Sequence, residues 1–275
     1  MKEGQDAYGR MILDALEQDE PISEIVERDD GFMMASRFGT ELYLAPFRRW
    51  PARQRRAMRL ARGRVLDAGA GGGRVALHLQ QRGLDVVAID VSPLAVEACR
   101  RSGVRDARVV AVERVDESLG VFDTIVMFGN NLGLLGGPAR GRRTLERLHR
   151  ISSPAARILG ESLDPYTTDD PAHLAYHERN RRRGRMGGQL RIRIRYREHA
   201  TPWFDYLLVS RDELEELLDG TSWRLVRTIE DEPPLYVAVI EKDAAPSKSG
   251  GAASGAPRAR RRPSGSSPGR ARGRR

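Results

Sequence analysis

The strongest chemical signal in the chain is a carboxylate followed by three alternate glycines. In Val65-Leu66-Asp67-Ala68-Gly69-Ala70-Gly71-Gly72-Gly73-Arg74-Val75-Ala76 a short apolar run passes into a glycine-rich turn and then a helix-forming stretch. Glycine reaches positive φ without steric cost and lets backbone approach a ligand with no Cβ in the way. A nucleotide-like ligand is therefore expected at the carboxyl end of this strand. The dinucleotide fingerprint G-x-G-x-x-G would need a further glycine where the chain has Arg74. Asp67 would also repel a diphosphate and attract an ammonium group.

Those two departures favour S-adenosylmethionine, which offers an ammonium, a sulfonium and a ribose but no phosphate, over NAD. An NAD-type oxidoreductase stays open as the alternative. Asp90 closes the next strand, in Val86-Val87-Ala88-Ile89-Asp90-Val91-Ser92-Pro93. A carboxylate there can accept both ribose hydroxyls, a device that NAD enzymes share, so it specifies a nucleoside without naming it.

On these motifs the chain resembles the class I S-adenosylmethionine-dependent methyltransferases, closely over 64–161 and loosely elsewhere. The resemblance implies that Asp67, Ala68, Gly69, Ala70 and Gly71 hold the methionine part of the cofactor and that Asp90 with Val91 holds the ribose. It sets Glu113 and Arg114 beside the adenine, and Phe128, Asn130 and Asn131 next to the reacting methyl group. The Asn/Asp-Pro-Pro-aromatic motif of enzymes that methylate base amino groups does not occur there. Cys99 lies on the wrong element for carbon-5 pyrimidine methylation. A small-molecule acceptor is thus expected, with Tyr8, Arg37, Asn131, Tyr166 and His177 as candidate acceptor contacts.

Methyl transfer from a sulfonium starts from an activated leaving group, so positioning supplies most of the rate and a general base is optional. Candidate bases are Glu161, Tyr166, His173, Tyr176 and His177. The two histidines are four apart, but with no third ligand pattern beside them no metal is expected.

Short apolar runs alternating with amphipathic stretches from Val65 onward predict a Rossmann-like α/β fold: a seven-stranded, mostly parallel sheet. Strands are expected at 64–67, 85–89, 107–112, 122–128 and 156–161, then at 224–229 and 235–241. Ser92-Pro93 starts one helix, whose apolar face takes in Cys99 as a core residue. Another helix is expected at 142–150, stopped by Pro154, and one more at 212–218. Residues 1–63 read as an N-terminal helical cover, with helices at 8–17, 21–28 and 52–62 and a turn at Asp29-Asp30-Gly31. An antiparallel hairpin insertion at about 188–210 should roof the acceptor pocket. Its period-two pattern puts Ile192, Ile194 and Tyr196 on one face and Arg191, Arg193, Arg195 and Arg197 on the other.

Lys and Arg outnumber Asp and Glu by 47 to 38, yet nine basic residues and no acid fall within 244–275, so the body is formally neutral. That favours a solvated, acid-balanced face for the arginine run over a phosphate-binding one. The Ala/Gly/Ser/Pro/Arg-rich tail is expected to be disordered, and nucleic acid would bind only through it. A single cysteine excludes an intramolecular disulfide and a cysteine zinc cluster. No apolar run has the length of a membrane span, and a cytoplasmic protein is expected.

Overall fold

A computed structural model of the protein describes residues 4–36 and 39–243. The elements run α1 (Ala7–Gln18), β1 (Ile25–Arg28), β2 (Met33–Ala35), α2 (Gly39–Tyr43), α3 (Ala52–Met58), β3 (Val65–Ala68), α4 (Arg74–Gln81), β4 (Val86–Asp90), α5 (Pro93–Arg101), β5 (Ala107–Val109) and β6 (Phe122–Met127). They continue with α6 (Pro138–Arg150), β7 (Ser152–Leu163), α7 (Pro171–Arg182), β8 (Gln189–Tyr196), β9 (His199–Ala200), β10 (Phe204–Leu207), α8 (Arg211–Leu218), β11 (Trp223–Glu230) and β12 (Leu235–Lys242).

The main sheet has seven strands in the order β11-β12-β7-β6-β3-β4-β5, as the alternation of apolar runs and amphipathic stretches predicts. Strands β5, β4, β3, β6 and β7 are parallel, and β12 and β11 add antiparallel pairs at one edge. Every residue of β3 and of β4 is buried, the burial of a sheet covered on both faces. Strand order reverses at β3, which has β4 on one side and β6 on the other. Ligands of open α/β sheets lodge at such a switch point.

Local chemistry fixes several ends. Ser92 caps α5 by accepting from the N–H of Ala95, and Pro93 supplies the preset φ of the first turn. Cys99 is buried in the core, its thiol donating to the Gly71 carbonyl at 3.0 Å and its pKa pushed up by burial. Helix α6 starts earlier than its periodicity suggests, at Pro138. Pro154 does not stop it: the helix ends at Arg150, and the proline lies within β7. There the pairing with β6 slips between Phe122 and Thr124, an irregularity of the kind that tolerates a residue without an N–H. The third strand likewise ends at Val109, and Glu113 and Arg114 fall in a 3₁₀ turn beyond it.

The N-terminal region is where the structure departs most from the sequence reading. Residues 25–28, expected as helix, form β1, which turns through Gly31 (φ 89°) and pairs antiparallel with β2. The other edge of β1 pairs with β8, so the N-terminal hairpin and the later hairpin merge into a second sheet, β10-β8-β1-β2, with β9 on β8. The register sets Glu27 beside Arg193 and Val26 beside Ile194. Helix α1 packs on α5, and a Cβ at Gly9 would come within 2.1 Å of the Ser92 Oγ. Asp6 ties the two helices together, accepting from Ser92 Oγ at 2.6 Å and from the Leu94 N–H at 3.1 Å. No helix among the described residues is long and apolar enough to cross a membrane. The expected tail at 244–275 lies outside the described residues.

Candidate active site

The carboxyl ends of β3, β4 and β6 open into a cavity of about 1050 Å³ whose far wall is the second sheet. Its near wall is the glycine loop. Gly69, Gly71 and Gly73 have φ of 77°, 53° and 83°, values that L side chains rarely adopt. A Cβ at Gly69 would stand 2.4 Å from Asn131 Nδ2, and one at Gly73 would stand 2.8 Å from Val104 Cγ2. Glycine is thus required twice over, by conformation and by space.

Two buried carboxylates brace this loop. Asp67 Oδ2 accepts from the Ala76 N–H at 3.1 Å, in the first turn of α4. Burial lifts its pKa to about 7, against the opposing pull of that N–H and of Arg74. Asp90 accepts from the N–H groups of Gly71 at 3.0 Å and Ser92 at 2.9 Å, and burial raises it too. Both line the cavity. Asn131 closes the far side, donating from Nδ2 to the carbonyls of Ala68 at 3.2 Å and Gly69 at 2.8 Å.

Glu161, a candidate base by sequence, is not free for that work. It is 1% exposed and accepts from Arg53 Nε at 2.8 Å, Gln54 Nε2 at 2.7 Å and the Gly129 N–H at 2.7 Å. Arg53 is in turn held by Asp231 at 2.8 Å. The network fixes the turn after β6 and reaches Arg74, whose Nη1 donates to Gln54 Oε1 at 2.9 Å while its guanidinium stacks over Trp50.

The second sheet turns an apolar face to the cavity through Val26, Met34, Leu190, Ile192, Ile194 and Phe204. Arg28 and Tyr206 stand on the same face. Its other face is charged: Arg193 and Arg195 bond Glu27, and Arg191 reaches Asp205 at 3.2 Å. Arg197 reaches Asp14 at 3.0 Å. The two guanidinium groups hold the Glu27 carboxyl down at about 2. The arginine run is therefore balanced by acids, as the neutral body suggests.

Of the residues expected from sequence, Asp67, Gly69, Ala70, Gly71, Asp90, Val91, Glu113, Phe128, Asn130, Tyr8, Asn131 and His177 all line the cavity. Ala68 does not; it is wholly buried in β3. The 3₁₀ turn that brings Val112 and Glu113 to the cavity leaves Arg114 exposed. Tyr166 spends its hydroxyl on Glu213 and Tyr176 on Asp29 at 2.6 Å, and neither reaches the cavity. Arg37 lies outside the described residues. His173 Nδ1 sits 3.0 Å from Arg28 Nη1; a guanidinium only donates, so Nδ1 accepts and Nε2 carries the proton. His177 is 4% exposed, and burial, then Arg181, lowers its pKa, leaving the ring neutral at pH 7.

Sequence reasoning missed Glu24, Tyr43 and Tyr206, all of which line the cavity. Tyr43 donates to Glu24 Oε1 at 2.7 Å, and Tyr206 donates to the Asn130 carbonyl at 2.6 Å. The signal available was the alternation Glu24, Val26, Arg28, which reads as a strand face once the segment is not assigned to a helix.

Residues 65–155 match the profile of a family described as a methyltransferase domain. Comparison with curated protein sequences returns no match. The chain is similar to a solved S-adenosylmethionine-dependent methyltransferase from Bacteroides fragilis, determined in complex with S-adenosyl-L-homocysteine. The two are 26% identical, with 89% of this chain and 98% of that one covered and a TM-score of 0.74. The CcbJ methyltransferase from Streptomyces caelestis shares the fold at 15% identity, with 87% and 99% covered and a TM-score of 0.58. Glycine loop, acidic strand ends, sheet order and these likenesses agree: the chain is a class I S-adenosylmethionine-dependent methyltransferase.

Proposed function

We propose that the enzyme methylates a small molecule enclosed between its two sheets, with the cofactor at the glycine loop and the acceptor beneath the second sheet. The observation that carries this reading is the cavity itself. At about 1050 Å³ it stands at the upper end of the range for sites that engulf a drug-sized ligand, roughly 300–1,000 Å³. Cofactor and a modest acceptor fit together, whereas a folded macromolecule would have to insert a single residue or base.

On this reading Gly69, Ala70 and Gly71 let the backbone approach the methionine part, and Asp67 offers its carboxylate to the ammonium. Arg74, which lines the cavity beside them, faces the carboxylate of the same amino acid. Asp90 with Val91 takes the ribose, and Glu113 with Val112 flanks the adenine. Phe128 and Asn130 border the methyl group, and Tyr8, lying over Gly71, stays a protonated donor because burial raises its pKa. We place the enzyme in the cytoplasm, where its lone buried thiol needs no partner.

The cofactor supplies an activated methyl group; the protein orients the acceptor and excludes water. Incubation with methyl-labelled S-adenosylmethionine and a fractionated cell extract tests the acceptor class. Label should enter the fraction below about 1 kDa. Label confined to protein or nucleic acid would overturn the proposal.

A further inference from the structure

The acceptor half of the cavity is built to receive a hydrogen-bond donor. Glu24 continues the cavity-facing register of β1, two residues before Val26. It is 3% exposed. Tyr43 occupies its Oε1, while Oε2 is buried with no hydrogen-bond partner among the described residues. Asn130 Oδ1 and His177 Nδ1, on two other cavity-lining residues, are buried and unpartnered in the same way. A buried polar atom left unpaired costs about 1–3 kcal/mol, and more when charged. Three such atoms on residues that line one cavity mark places where a ligand supplies the missing partners.

Two of the three can only accept. A carboxylate oxygen and an amide carbonyl oxygen can only accept, and a neutral imidazole nitrogen can accept. The charge balance points the same way. Arg28, the cation of this half, is already bound to Asp30 through both carboxylate oxygens, at 2.8 and 2.9 Å, and is stacked against Phe32 and Tyr176. Asp164 and Asp169 also line this half. Among the described residues of this half, an anionic acceptor would meet Glu24 with no unpaired cation to offset it.

Glu24 is linked to the glycine loop through two tyrosines. Tyr43, which holds it, packs edge-on against Tyr8 at 5.5 Å between centroids, and Tyr8 lies over Gly71, its hydroxyl 3.1 Å from where a Cβ would stand.

We propose that the methyl acceptor is an amine, and that Glu24 binds its nitrogen and takes the proton released on methylation. This rests on the small-molecule reading above. The neutral nitrogen donates its lone pair to the methyl carbon as the carbon–sulfur bond breaks, its electron pair going to sulfur. The surplus proton on the alkylated nitrogen passes to the Glu24 carboxylate and from there to solvent. The apolar wall of Ile192, Ile194 and Phe204 holds the carbon skeleton.

The test is a fragment set of matched primary or secondary amines, alcohols and carboxylic acids, each binding to enzyme saturated with S-adenosylhomocysteine and read by thermal shift and calorimetry. Wild type should favour amines over their matched acids by at least about tenfold. Glu24→Gln, which keeps the acceptor for Tyr43, should abolish that preference while leaving S-adenosylhomocysteine affinity within about threefold. Should Glu24→Gln fail to fold, Glu24→Asp carries the comparison, with a reduced preference expected. Equal binding of the three classes, preference for acids, no binding by any member, or a preference that survives in the variant would overturn the proposal. So would a large loss of S-adenosylhomocysteine affinity in Glu24→Gln, which would give Glu24 to the cofactor. If wild type itself fails to bind S-adenosylhomocysteine, the cofactor reading fails first, and separately.

Discussion

The two walls of the cavity are made in opposite ways. The wall proposed for the cofactor comes from strand ends and turns close in sequence, within 67–131, and its polar groups are tied to one another: Asp90 to Gly71, Asp67 to Ala76, Asn131 to Gly69. The wall proposed for the acceptor joins β1 to β8 across more than half the chain, and on that side Glu24 and His177 of α7 each keep an unpaired atom. A wall satisfied from within is preorganised for one fixed ligand; a wall with open acceptors is completed by what it binds. The contrast predicts that breaking the ties within the first wall damages stability and cofactor binding together, while substitutions on the second leave cofactor binding unchanged.

The largest effect should come from the network beneath the first wall. Arg53→Ala leaves Glu161 buried beside one fewer donor and should destabilise the protein by about 3–5 kcal/mol in urea unfolding, the usual cost of breaking a buried ion pair. A loss below about 1 kcal/mol would mean that the network is ornamental. Next, Gly73→Ala forces a side chain into a left-handed conformation 2.8 Å from Val104 and should cost about 1–3 kcal/mol, with a parallel loss of S-adenosylhomocysteine affinity. If the variant is as stable as wild type but binds no ligand, stability and binding are separable on this wall and the contrast weakens.

These two effects differ in how far they could be read from the sequence. The loop and its two acids were legible because all their determinants are local: glycine spacing, a buried strand before it, a carboxylate at each strand end. Glu161 was visible as a residue but not as a structural one, because its partners Arg53 and Gln54 sit more than a hundred positions away. Glu24 was hidden for a related reason. Its segment, 21–28, has too few apolar residues to distinguish a strand period from a helical one, and only pairing with β8 decides the matter. The arginines of β8 were legible as a face, though the identity of their counter-ion, Glu27, was not. Pro154 misled because a proline that stops a helix and one that sits at a strand irregularity look alike without the neighbouring strand.

A smaller effect should appear in pH dependence. The folded pKa of Asp67, about 7, lies above its unfolded value near 3.8. The native state therefore holds more protons between these values, and Asp67 costs stability progressively as pH rises from about 4 to 7. Asp67→Asn should flatten that slope in the free enzyme. A ligand ammonium favours the ionised carboxylate, so S-adenosylhomocysteine binding to wild type should strengthen between pH 6 and 7.5 and release a proton. The same pH profile in Asp67→Asn would remove Asp67 from the cofactor site.

The smallest effect sharpens the other side of the comparison. Glu27, held at about 2 by Arg193 and Arg195, contributes stability above its ordinary carboxylate range that is lost as pH falls from about 4.5 towards 2. Glu27→Gln should reduce that acid sensitivity and loosen the second sheet while leaving S-adenosylhomocysteine affinity within about twofold. A tenfold change would show that the two walls are coupled.

The most direct test of the central claim, that the loop wall holds the cofactor, is calorimetric titration of S-adenosylhomocysteine into wild type and Asp90→Ala, with NADH as the competing ligand. Wild type should bind S-adenosylhomocysteine and not NADH, and Asp90→Ala, losing the groups that brace Gly71 and meet the ribose, should bind at least about tenfold more weakly while still unfolding cooperatively. Equal affinity in the two proteins, or binding of NADH in place of S-adenosylhomocysteine, would contradict the account.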